Sequence, residues 1–183
     1  STHTVYYYDL LGYGASAKPE GDVSLGVQNE ILAALMGVWD LDRPAAVGHD
    51  YGGGTILRTH LLNRRAFSSI VLIDPVALAP WGSDFLQHLR AHRASFEGLP
   101  AYLHEALLRA YIGTATRGSL PEAVTAATLA PWIGPIGQPA FYRQIAQADE
   151  CFTDEVEPLY GAVAAPVLLL WAEEDSWIPL ERG

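Results

Sequence analysis

A single cysteine, Cys151, is all the thiol chemistry this chain carries. An intramolecular disulfide is therefore excluded, and a lone thiol of this kind fits a reducing, cytoplasmic setting. Basic residues are also scarce: 11 Lys and Arg stand against 21 Asp and Glu, for a formal net charge of -10. Nucleic acid and anionic membrane both call for basic patches, so neither is expected as the main partner. No apolar run is long enough to span a bilayer. The opening segment, STHTVYYYDL, lacks the plan of a signal peptide and reads like the middle of a protein. Internal repeats and low-complexity stretches are missing as well.

Half of the 183 residues are hydrophobic, enough for a sizeable core. Residues 5–8, 45–49, 69–73 and 166–171 form short runs rich in aliphatic and aromatic side chains, each bounded by breakers, and they read as strands. Between the first two, Ser24 is placed to cap a helix with Val27, Ile31, Leu35 and Val38 on its apolar face. A second helix follows HDYGGG and runs through Ile56, Leu57 and Leu61. Strands that alternate with helices, and whose own side chains do not alternate, point to an α/β fold with a mostly parallel sheet. Residues 76–160 depart from that rhythm. Amphipathic segments such as DFLQHLRAHRASF and QPAFYRQIAQAD dominate there, with PWIGPIGQP as a joint. The stretch is too long for an ordinary connection, so the expected organisation is a core in 1–75, a helical cap in 76–160, and a return to the core in 161–183.

The most informative stretch is Val47-Gly48-His49-Asp50-Tyr51-Gly52-Gly53, between a strand and a helix. A nucleophile on a strained strand-to-helix turn needs neighbours without a Cβ, and the free N–H groups of the helix start favour a carboxylate. The plainer explanation is an aspartate that caps its helix. His49, next to Asp50, is expected to point to the other side of the strand.

These motifs resemble the α/β-hydrolase superfamily, in its epoxide hydrolase and haloalkane dehalogenase branch. Asp9-Leu10-Leu11-Gly12-Tyr13-Gly14-Ala15-Ser16 with Pro19 is similar to the D-x-x-G-x-G-x-S-x-x-P turn of that family. Gly48-His49-Asp50-Tyr51-Gly52-Gly53 resembles its nucleophile elbow with aspartate in place of serine. Trp171-Ala172-Glu173-Glu174-Asp175 with Pro179 resembles the segment that carries the acid of the triad, with Ala172 replacing the usual glycine. Phe141-Tyr142-Arg143 is similar to the W-Y-R motif of the epoxide hydrolase cap.

The resemblance implies a two-step hydrolase that needs neither cofactor nor metal and acts on a small apolar molecule. Asp50 attacks a carbon electrophile to give an alkyl–enzyme ester, and water then cleaves the ester. The backbone N–H of Tyr51 serves the oxyanion hole. Asp175 orients the histidine base, with Asp74 as the alternative acid. For an epoxide, Tyr142 is the first choice as proton donor, and Tyr102 with Tyr111 behind it the second. Trp81, Trp132 and Trp177 are candidates for the substrate pocket, with Tyr102 and Tyr111, against the plainer reading of loop tryptophans as half-buried anchors. Neither the histidine nor the H-G-x-P loop of the family lies in this stretch of sequence. The expectation is a hydrolase fold incomplete at both ends and inactive alone, with a degenerate short protein as the alternative. Oligomeric state is left open by the sequence. Epoxide hydrolysis is preferred. Haloalkane dehalogenases place a tryptophan after the nucleophile, where this chain has Tyr51; fluoroacetate dehalogenases place arginines just after it, where the first arginine of this helix is Arg58, two turns away. A binding role on the same fold is the third reading.

Overall fold

The computed structural model describes residues 2–183. Three strands form one parallel sheet in the order β1 (Ala45–His49), β2 (Ser69–Ile73), β3 (Val167–Leu170). Registers are regular: Ala45 faces Ser69, His49 faces Ile73, and Ile73 faces Leu170. Helix α1 (Leu25–Val38) precedes the sheet and α2 (Tyr51–Leu61) links β1 to β2. All remaining α-helices lie between β2 and β3: α3 (Asp84–Ala91), α4 (Arg93–Glu97), α5 (Ala101–Gly113), α6 (Glu122–Leu129), α7 (Gly134–Ala146) and α8 (Cys151–Asp154). Among the described residues no helix is long and apolar enough to cross a membrane.

The core beside the sheet gathers Met36, Ile56, Leu57, Phe67, Ile70 and Leu72 from α1, α2 and β2. Burying side chains of this kind contributes about 1.5–3 kcal/mol each. A second core lies among the later helices, around Leu89, Leu108, Phe141 and Tyr142. The central strand β2 is the buried one, with Ile70 at 0% exposure. By contrast, all four residues of β3 lie in the range 43–53% and Val47 of β1 is 67% exposed. Even β2 alternates between buried and half-buried residues, so the expected uniformly buried strands are not found.

Three local expectations are corrected. Residues 5–8 are not a strand: a strand needs a neighbour to complete its backbone hydrogen bonds, and none of the described strands pairs with them. Tyr6 and Tyr8 lie instead against the ring of Trp39, at 5.3 and 6.1 Å. In α1 the buried face is Leu25, Gln28, Asn29, Ala33 and Met36, while Val38 is 77% exposed, and Ser24 makes no side-chain capping bond. Two polar residues hid that face. Gln28 exchanges hydrogen bonds with the Leu11 backbone, and Asn29 Oδ1 accepts from Arg58 Nε at 2.8 Å. Buried amides satisfied in this way belong to the packing despite their polarity. The PWIGPIGQP joint is shorter than expected, because α7 already begins at Gly134 and carries Pro139 inside it. A Cβ on Gly137 would lie 2.4 Å from the Trp132 carbonyl carbon, so only glycine lets α7 pack against the preceding turn.

Polar ties join the helices of 84–154 to the rest. Arg143 donates to the Pro19 carbonyl at 2.6 Å, and Gln147 bonds the Val23 N–H and the Gly21 carbonyl. Arg58 of α2 reaches the Phe152 carbonyl and forms an ion pair with Glu155.

Candidate active site

An aspartate follows each strand. Asp50 follows β1, Asp74 follows β2, and Asp175 lies in the loop after β3. Because the strands are parallel, their C-terminal ends share one side of the sheet, where ligands bind in open α/β sheets. An open trough of about 640 Å³ there is lined by Asp50, Asp74, Asp175 and Trp177.

Asp50 occupies an unusual backbone conformation, φ 50° and ψ -120°. Its amide donates to the Ile73 carbonyl, and its own carbonyl accepts from the amides of Gly53, Gly54 and Val76, which fixes the turn from both sides. Three glycines make the turn possible. A Cβ on Gly48 would meet the backbone of Gly52 and Gly53 at 2.7 Å; on Gly53 it would meet Pro75 Cβ at 2.5 Å; on Gly54, the Val76 carbonyl oxygen at 2.6 Å. Gly52 differs, with open space where its Cβ would be. The Asp50 side chain makes no capping hydrogen bond to α2, so the plainer explanation of this aspartate as a helix cap lacks its defining contact. Burial raises its carboxyl above the usual range. The adjacent His49 and the Tyr51 amide pull it down, and the charges of Asp175 and Asp74 push it up.

Asp74 is strained too, at φ 40°, and its Oδ1 accepts from the Ala172 amide at 2.7 Å. Asp175 Oδ1 accepts from the amides of Trp177 and Ile178 at 2.7 and 2.9 Å. His49 borders the trough beside Asp50.

A second cavity, of about 220 Å³, opens from Asp50 into the helices. Tyr111, Trp81, Trp132 and Trp177, the pocket candidates read from the sequence, line it together with Tyr13, Tyr51 and Phe141. Tyr111 and Trp177 stack face to face, 4.5 Å apart with planes 12° from parallel. Burial raises the Tyr111 phenol, and the Asp50 charge raises it further. The Trp81 Nε1–H is committed to Thr153 Oγ1, and that of Trp177 to Thr114 Oγ1.

Tyr142 does not reach this cavity. It is wholly buried, and its hydroxyl lies 2.8 Å from His104 Nδ1, while His104 Nε2 lies 2.9 Å from the Trp132 carbonyl. The carbonyl can only accept, so Nε2 carries the proton and the Tyr142 hydroxyl donates to Nδ1. The physical reason for the correction is helical spacing. Phe141, Gln144 and Ile145 line the cavity at the intervals of one face of α7, and Tyr142 points about 100° away. Tyr102 is corrected as well: it is 72% exposed and borders neither cavity. Sequence reading passed over Tyr13 and Phe141. The i, i+3, i+4 stripe through Phe141 was the signal that could have found the latter.

The family model described as "Alpha/beta hydrolase family" matches residues 1–183. This chain belongs to the alpha/beta hydrolase family. A crystal structure of an alpha/beta hydrolase fold protein from Burkholderia ambifaria is 50% identical with a TM-score of 0.94, over 96% of this chain and 65% of that one. The haloalkane dehalogenase DatA from Agrobacterium tumefaciens C58 shares the fold at 19% identity and a TM-score of 0.67, over 88% of this chain and 60% of that one. A relative from Mycobacterium bovis, "Uncharacterized protein Mb2734", is 27% identical over 98% of this chain and 56% of its own length. The chain thus spans little more than half the length of the curated relatives it matches.

Proposed function

We propose that this chain carries the reaction centre of a hydrolase with Asp50 as nucleophile, acting on a small apolar electrophile, with an epoxide as the preferred substrate. The observation that carries the reading is the Asp50 carboxylate itself. It sits on a strained turn, spends nothing on capping its helix, and faces a largely aromatic cavity. Strain of this kind persists where the surroundings over-determine it, and it clusters at reactive sites.

In this reading the helices of 84–154 act as a cap over Asp50. The carboxylate attacks a ring carbon, the ring C–O bond breaks, and a phenol protonates the departing oxygen. Tyr111 takes the role first given to Tyr142, because it lines the cavity with Asp50. The Tyr51 amide supports the oxyanion when the ester is later cleaved. Asp175 orients the base for that cleavage. Its Oδ1 is held by two amides, and no histidine among the described residues is bonded to it. A halide leaving group fits less well, since the indole N–H groups of Trp81 and Trp177 are both engaged elsewhere.

Incubation of the chain with styrene oxide, followed by intact-mass measurement and peptide mapping, tests the reading. The expected result is one adduct, an ester on Asp50, absent from Asp50→Asn. Adducts spread over other carboxylates, or an unchanged adduct in the variant, would refute it.

A further inference from the structure

Two histidines among the later helices take no part in the proposed reaction, yet they are set as a pair. His88 lies in the last turn of α3, and His92 is the residue that joins α3 to α4. They stand four positions apart, so their side chains leave the same face of the helix. The His92 backbone departs from helical values, at φ -127° and ψ 28°. Its amide still donates to the His88 carbonyl at 3.1 Å, so helical spacing holds across the break. The two rings lie 4.5 Å apart, centre to centre, and both residues are exposed. The His88 ring also meets Phe96 at 5.9 Å, and neither imidazole is hydrogen-bonded to another described residue.

That separation is the one a shared metal ion would impose. With metal–nitrogen bonds of about 2.0–2.1 Å, two imidazoles have ring centres about 4.5 Å apart at a square corner and about 5 Å apart at a tetrahedral one. Imidazole nitrogen selects zinc, nickel and copper over magnesium and calcium, which seek oxygen. The cations nearby are already matched: Arg90 pairs with Asp149 and Arg93 with Glu97, so neither sets an unbalanced charge against a metal. No third His, Cys, Asp or Glu completes the group among the described residues. Water would fill the other positions, as at open sites, and the ion would exchange.

We propose that His88 and His92 form a two-histidine site for a late first-row divalent ion such as Zn²⁺, and that the ion clamps the joint between α3 and α4. The joint matters because α3 forms part of the cavity wall. Leu86 lines the cavity with Asp50, and Phe85 packs near Tyr111 at 5.2 Å. A chelate across the break holds both helices with one ion, and an ion that binds the folded chain alone stabilises it. The site stands whether or not Asp50 is the nucleophile.

Zn²⁺ titrated into the metal-free chain by calorimetry tests the site, with amide hydrogen exchange as the second readout. The expected result is one ion bound per chain, slower exchange across 88–97 and a higher thermal midpoint. His88→Ala and His92→Ala each leave one imidazole, so each should weaken binding about 100-fold, the loss expected when one of two linked contacts is removed. His92 sits in the joint, so His88→Ala is the variant expected to melt as the unmodified chain does without zinc. His60→Ala, on α2, should bind zinc unchanged. Full-affinity binding by His88→Ala or His92→Ala would overturn the site, and so would an absence of binding by the unmodified chain at millimolar Zn²⁺. Binding without slower exchange at 88–97 would overturn the clamp.

Discussion

Replacing Gly53 by alanine would place a methyl carbon 2.5 Å from Pro75 Cβ and 3.1 Å from its Cα. Carbon atoms in favourable contact sit about 3.5–4.0 Å apart, so the overlap is about 1 Å against a rigid ring. Pro75 cannot yield freely, because it is buried and its neighbours Asp74 and Val76 are hydrogen-bonded to Leu170 and Asp50. Overpacking of this kind costs about 1–3 kcal/mol, and better helix propensity returns at most about 1 kcal/mol. The net loss should lower the thermal midpoint by about 2–4 °C for each kcal/mol lost. Gly52→Ala is the matched control one residue away. Nothing lies within 4 Å of its Cβ, so it should be neutral or stabilising by up to about 1 kcal/mol. Thermal melts followed by circular dichroism, with urea titrations alongside, would measure both. The elbow variant should also alkylate Asp50 more slowly, since relief of the clash moves the turn. Equal stability of the two alanine variants would refute the claim that close packing fixes glycine at 53 and not at 52.

Asp50→Asn should stabilise the fold at neutral pH. Burial raises the folded-state pKa of Asp50, so the folded chain holds that proton more firmly than the unfolded chain does. Its charged form therefore costs stability above the folded pKa, and the cost vanishes below the unfolded value of about 3.9. The gain from the variant should fade as pH drops towards about 4, and a gain independent of pH in urea titrations would contradict this. Tyr142→Phe leaves buried His104 Nδ1 without its donor and should cost about 1–3 kcal/mol, while alkylation of Asp50 keeps its rate; a slowed alkylation would restore Tyr142 to the mechanism. Leu72→Ala, at 5% exposure in β2, should cost about 2–5 kcal/mol. Leu169→Ala, at 43% exposure in β3, should cost less than about 1 kcal/mol, and similar losses at both would mean that β3 is covered in solution.

What could be read in advance followed from local chemistry. The glycines around Asp50, the breakers after each strand and the long amphipathic stretch each encode their geometry in a few neighbouring residues. What was missed depended on partners distant in sequence. Val5 to Tyr8 has strand composition, but a strand exists only through its neighbour. Gln28 and Asn29 are polar and still face the core, because Leu11 and Arg58 meet them there. Tyr142 sat in a recognisable motif, yet one step along a helix turned its hydroxyl to His104 and gave the cavity to Phe141. Motif spacing located the segment correctly and left the rotation of the helix undetermined.

The convergence of three aspartates has one cause and one consequence. Neighbouring strands lie about 4.8 Å apart, and β1, β2 and β3 run parallel in register, so the turns that leave them are stacked side by side. Two of those turns hold a non-glycine residue at positive φ, Asp50 and Asp74. Asp74 and Asp175 each spend a carboxylate oxygen on backbone amides of the loops around them. Asp50 makes no capping hydrogen bond to its helix, and the Tyr51 amide at the helix start favours its charged form. Its two neighbours raise the cost of its charge, and so does burial. A nucleophile that loses its charge on reacting is relieved of that cost when the ester forms. In the proposed reaction, the arrangement that weakens the resting fold at Asp50 is the one that favours its alkylation, and the variant that stabilises the chain at neutral pH should be the one that abolishes the adduct.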